Sequence, residues 1–126
     1  MDTTIIRERE APRYELPGVR FTAGAAPSRG SAQLCTWTIT VSPDLHSPDP
    51  HTLDADEVFT VLSGAIHTTP DAPVARAGDT VVVTAGSPIQ LVNPGDEPAE
   101  VMVAVRAGFT ARLADGTPIG TPPWAQ

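Results

Sequence analysis

His51 and Glu57 stand six positions apart in the run His51-Thr-Leu-Asp-Ala-Asp-Glu57-Val-Phe-Thr-Val-Leu-Ser-Gly64. An imidazole exchanges a proton near neutral pH, and a carboxyl does so once burial raises its pKa. Together they make a general base and a general acid, which is all that an isomerisation, cyclisation, dehydration or decarboxylation demands. Asp54 and Asp56 read as a solvated acidic loop. Glu57 differs because the alternating segment Val58-Phe-Thr-Val-Leu follows it, so it opens a strand. Strand periodicity puts Leu53 on the face of His51, and Phe59 on the face of Glu57. Two outcomes stay open: an imidazole close by would keep Glu57 ionised, and burial alone would neutralise it. A lone histidine beside apolar neighbours also has a purely structural reading.

The other two histidines are secondary candidates. His46 lies in the proline- and aspartate-rich loop 42–50 and reads as exposed, although folded over the site it would add a third ligand. His67 falls on the strand after Ser63-Gly64, with its face undetermined. Cys35 is the one cysteine, which excludes an internal disulfide and a cysteine zinc cluster and leaves a small buried hydrophobe. All eight basic residues are arginine, so no Schiff-base lysine exists. Trp37 shares a face with Cys35, Ile39 and Val41, and points into the interior or into a subunit interface.

The elements that must hold these groups are short strands. Fourteen prolines and ten glycines in 126 residues punctuate the chain every eight to twelve positions, with Val- and Thr-rich runs between them, as in an all-β sandwich or barrel. The length suits one domain. Strands are expected over 32–41, 57–62, 65–69, 80–83, 89–92 and 100–107. Ser63-Gly64 is expected to be a tight hairpin, and the β-branched run 80–83 a buried strand. Residues 1–16 form an irregular N-terminal arm, 17–110 the β-barrel, and 111–126 a tail packed on its outside through Trp124. Asn93, before Pro94-Gly95, reads as a turn former.

The net charge of −7 argues against nucleic acid and anionic membrane as partners. No apolar run approaches the roughly 20 residues of a membrane span, and the start lacks the apolar core of a signal peptide, so a cytoplasmic protein is expected. Abundant alanine, arginine and proline without lysine suit a GC-rich bacterial genome.

The run 51–64 resembles the first signature motif of the cupin superfamily: a histidine pair spaced by one residue, a glutamate, six residues and a glycine. His51, Glu57 and Gly64 match it, and Leu53 takes the second histidine's place. The second motif is matched by Gly78, Gly86 and Asn93, with Thr84 at its proline position and Ile89 at its histidine position. The resemblance implies a single-domain cupin jelly-roll β-barrel and a homodimer. It also implies iron, manganese, nickel or zinc held by three histidines and a glutamate, but alkyl side chains at 53 and 89 offer no lone pair. No cofactor is therefore expected, and a divalent metal on His51, Glu57 and His46 is the alternative. Leu53, Ile89, Trp37 and Phe59 would line an apolar pocket for a small organic ligand. The expected function is a metal-independent acid–base enzyme of the isomerase or lyase type. A non-catalytic ligand-binding or sensor protein and a metal-dependent oxygenase or isomerase are the alternatives.

Overall fold

The structure is a computed structural model in which residues 3–126 are described. The strands are β1 (Arg13–Leu16), β2 (Val19–Ala23), β3 (Leu34–Val41), β4 (His51–Leu53), β5 (Glu57–Ser63), β6 (Ala65–Ile66), β7 (Ala75–Arg76), β8 (Thr80–Val83), β9 (Ala99–Arg106), β10 (Ala111–Leu113) and β11 (Pro118–Gly120). Helical geometry among the described residues is limited to three short 3-10 turns, Glu8–Glu10, Pro27–Arg29 and Pro123–Ala125.

One layer is a six-stranded sheet in the order β1-β2-β3-β9-β5-β8. The other begins as β11-β10-β4. It is carried on by residues 89–92: His51 bridges Ile89, and Val92 bridges both His46 and His67, beside the β6–β7 pair. Two antiparallel layers closing on each other make the all-β jelly-roll barrel.

Alternation decides what lies between the layers. On β3 every second residue, Cys35, Trp37, Ile39 and Val41, is buried, and on β9 so are Val101, Val103 and Val105. The register aligns these residues in rows across the sheet: Cys35–Val105–Glu57–Val83, Trp37–Val103–Phe59–Val81 and Ile39–Val101–Val61. Ile66, Ile89, Phe109 and Leu53 oppose them in one continuous core. Each such side chain, fully buried, stabilises the fold by roughly 1.5–3 kcal/mol.

Four sequence expectations change. Ser63-Gly64 is not a hairpin, because β5 pairs with β8 and β9 and not with β6. Gly64 instead takes the chain from one layer to the other at φ +80°, where a Cβ would stand 2.9 Å from Ala99 Cα. The run Thr80–Val83 is not buried throughout; it is the edge strand of its sheet, with Val82 59% exposed and Val83 buried. The N-terminal arm is not irregular to residue 16, since Arg13–Leu16 pairs with β2 across the turn at Gly18. Ahead of that strand, Ile6, Glu8 and Ala11 lie over Thr22, Thr36 and Met102 of the chain's own sheet. The tail does more than pack on the outside: β10 pairs with β4 and so helps position His51.

Candidate active site

Glu57 is the first residue of β5, Val83 the last of β8, Cys35 the second of β3 and Val105 the last but one of β9. Their shared row is therefore the rim of the six-stranded sheet at one end of the barrel. The chain reaches Glu57 from β4 through residues 54–56, which switch layers. Asp54 fixes this crossing by accepting hydrogen bonds from the Thr110 N–H at 2.8 Å and the Thr110 hydroxyl at 3.0 Å. Asp56 accepts from the Ala85 N–H at 2.9 Å. The acidic run thus divides by role, with two exposed aspartates tying down the crossing while Glu57 turns inward.

Glu57 is 4% exposed, and its Oε1 has no hydrogen-bond partner. Its neighbours along the row are Val105 and Val83. With no cation to hold the charged form, burial raises its carboxyl pKa to about 8; the carboxyl is protonated at neutral pH. An unpaired buried carboxyl is costly, and such groups concentrate where a protein does chemistry or binds a ligand.

His51 sits on the opposite layer. Its N–H donates to the Ile89 carbonyl at 3.0 Å, and the Ile89 N–H returns a bond to the His51 carbonyl at 2.8 Å. Directly paired residues share a face, so the half-buried imidazole stands beside Ile89, which is 1% exposed, and Leu53, which is 5% exposed. Burial lowers the His51 pKa, so the ring is neutral at neutral pH. No hydrogen bond or ion pair joins His51 to Glu57, and burial alone shifts each of them. Of the two outcomes left open by the sequence, desolvation prevails, giving a neutral carboxyl and a neutral imidazole.

The remaining candidates separate. Trp37 is 5% and Phe59 3% exposed, both on the inward row shared with Val103. Trp37 packs against Phe109 with ring centroids 6.0 Å apart, which places it in the interior. His46 is exposed. The His67 Nδ1–H donates to the Ala72 carbonyl at 2.7 Å, so that nitrogen is already engaged. Among the described residues no three His, Cys, Asp or Glu side chains come together; the set His51, Glu57 and His46 does not assemble. The donor set that the cupin motifs imply does not fit a metal here, with Leu53 and Ile89 placing methyl groups where two imidazoles would stand.

Asn93 is a structural residue with every amide atom engaged. Its Oδ1 accepts from the Gly95 N–H at 2.9 Å, and its Nδ2 donates to the Val41 carbonyl at 3.1 Å and the Glu97 carbonyl at 3.0 Å. Sequence reasoning missed Phe109, 1% exposed in the core, and the inward position of Trp124. Neither lies in a periodic run, and their places depend on long-range packing that no local pattern signals.

A Cupin domain family model matches residues 37–105, more than half of the chain. This protein belongs to the cupin family. An RmlC-like cupin from Ralstonia eutropha superposes at a TM-score of 0.74 with 13% identity, over 98% of this chain and 81% of the other. The polyketide cyclase RemF from Streptomyces resistomycificus gives 0.73 with 12% identity, over 97% and 89%. A sugar phosphate isomerase from Silicibacter pomeroyi gives 0.60 with 24% identity, over 79% and 67%. Identities this low carry the cupin fold and not an activity. No curated protein matches the chain.

Proposed function

We propose that this cupin is a metal-independent acid–base enzyme acting on a largely apolar organic molecule at the rim of its barrel. The observation that carries the reading is Glu57, a carboxyl 4% exposed with an unpartnered Oε1 and a pKa near 8. Protonated at neutral pH, it donates a proton to a developing oxyanion or carbanion of the substrate. His51, held neutral, removes a proton from the other side, and Leu53, Ile89 and Phe59 keep water away from both. Proton transfer and orientation suffice for an isomerisation, cyclisation, dehydration or decarboxylation. A cyclase and an isomerase among the structural neighbours bear names from this class.

The test is deuterium exchange. The protein is incubated in D2O with enolisable aryl ketones and β-dicarbonyl compounds, and label at the carbon beside the carbonyl is read by mass spectrometry. Wild type should accelerate exchange, and Glu57→Gln and His51→Ala should each lower it by about 10²–10⁴-fold. Exchange at the wild-type rate in both variants would dismiss the acid–base pair.

A further inference from the structure

Asp54 is a surface residue, its side chain 46% exposed, whose contacts run to both layers of the barrel. On one side it extends the ladder between β10 and β4: Leu53 pairs with Ala111, and the next step places Asp54 opposite Thr110. The Asp54 N–H donates to the Thr110 carbonyl at 3.1 Å. The Thr110 N–H and hydroxyl return bonds to the two carboxylate oxygens at 2.8 and 3.0 Å. On the other side, Arg106 Nη2 lies 3.6 Å from Asp54 Oδ1 and donates to the Asp54 carbonyl at 3.4 Å. We infer that Asp54 is a positioning residue that sets where Glu57 stands relative to His51. The inference deepens the proposed function and rests on its pairing of these two residues.

The two anchors lead to the two proposed reacting groups by short routes. Thr110 adjoins β10, whose Leu113 pairs with His51. Arg106 ends β9 and follows Val105, which the register places directly beside Glu57. Only Ala55 and Asp56 separate Asp54 from Glu57, so the chain between them spans at most about 11 Å. A shift at Asp54 is therefore passed on with little slack.

The Thr110 bonds matter more than the charge. An exposed ion pair contributes little, and Arg106 is 54% exposed. By contrast, one residue engages the Thr110 N–H, hydroxyl and carbonyl together, which fixes the direction in which the chain leaves β4. Without it, the crossing is held by the Asp56 bond to the Ala85 N–H and by the Gly86 N–H bond to the Leu53 carbonyl at 2.8 Å. Both come from the turn after β8, so neither ties Glu57 to the strands around His51. A displacement of about 1 Å at a reacting group costs about 10²-fold in rate.

The experiment uses the full chain with its glutamate carboxyls labelled with 13C, and the Glu57 signal is assigned with Glu57→Gln. Wild type should titrate near pH 8. In Asp54→Ala the crossing is released and water reaches the carboxyl, so the midpoint should fall by about one pH unit or more. In the deuterium-exchange assay the same variant should lose about 10²-fold in kcat with KM unchanged. Asp54→Asn keeps an acceptor for the Thr110 N–H and a donor to its hydroxyl, and should hold most of the wild-type midpoint and rate. Thr110→Val loses the hydroxyl bond alone and should give a smaller fall, which keeps the test readable if Asp54→Ala does not fold. Asp115→Ala removes a comparable bond from the Thr117 N–H beyond the far end of β10 and serves as the control. An unmoved midpoint in Asp54→Ala overturns the inference, as does an equal fall in Asp115→Ala. The two claims separate cleanly. A moved midpoint in a protein that exchanges nothing even as wild type keeps the anchor and removes the acid–base reading; wild-type exchange with an unmoved midpoint does the reverse.

Discussion

Glu57 couples stability to pH in the direction opposite to a salt-bridged carboxylate. Its carboxyl titrates near 8 in the fold against an ordinary 4.5. Below about pH 4.5 the proton is bound in folded and unfolded chains alike, and nothing is lost. Between about 4.5 and 8 the unfolded chain ionises while the fold keeps its proton, so stability falls as pH rises, by up to about 5 kcal/mol in total. Urea denaturation from about pH 5 to 9 should show this slope in wild type and its loss in Glu57→Gln. His51 acts the other way: its lowered pKa gives stability that is complete above the ordinary imidazole value and lost as pH falls through the folded one. The same two titrations bound the proposed activity. The pH profile of kcat/KM should fall above about pH 8 as Glu57 ionises, and on the acid side below the usual imidazole range as His51 takes up a proton. A profile with no alkaline limb would count against Glu57 as the acid.

At the scale of elements, the crossings between layers decide where these residues stand. Gly64→Ala should destabilise by about 2 kcal/mol or more, from left-handed backbone strain together with the approach to Ala99. Asn93→Ala should cost about 1–3 kcal/mol, chiefly by removing the donor to the buried Val41 carbonyl, with the bond to the Glu97 carbonyl lost as well. Chemical denaturation measures both, and native-like spectra at low denaturant would show that the fold survives. The strands were legible in the chain wherever alternation is clean, as over Cys35 to Val41 and from Glu57 onward, because a half-buried strand has period two. Edge position was not legible: Thr80 to Val83 reads as buried because β-branched residues suit a central and an edge strand alike, and only the sheet order separates them. Ser63-Gly64 misled for a related reason, since a glycine at positive φ serves a layer crossing as well as a hairpin. Of the candidate site, Glu57, His51, Leu53 and Ile89 could be read from motif spacing and period. The packing of Trp124 on Phe21 and Trp37 could not, because a non-periodic tail gives no sign of the sheet it covers.

For the molecule as a whole, the charges on the outward side of the large sheet stand toward its margins. Arg13, Glu15 and Arg20 lie on β1 and β2, and Glu100 and Arg106 near the ends of β9, with two uncharged rows between them on that face. The rows Thr36–Ala104–Val58–Val82 and Thr38–Met102–Thr60–Thr80 cross it, and Val82 and Met102 are exposed. The proposed homodimer would use the part of this face toward Val82 and Met102, beyond the stretch beside the N-terminal arm. Light scattering coupled to size exclusion should then give about twice the 13.2 kDa chain mass and revert to one mass in a Val82→Glu, Met102→Glu variant. A monomer at high micromolar concentration would dismiss it. The crossing at Asp54 to Asp56 has a mechanical consequence. It sends His51 and Glu57 to opposite layers, so the barrel holds them like the two jaws of a caliper, and the filling between the jaws sets the opening. Trimming Phe109 or Ile66, or enlarging Val61, would reset the reach of acid to base without touching either residue. In the proposed enzyme, the tolerance for a longer or shorter substrate is thus written into the girth of the core.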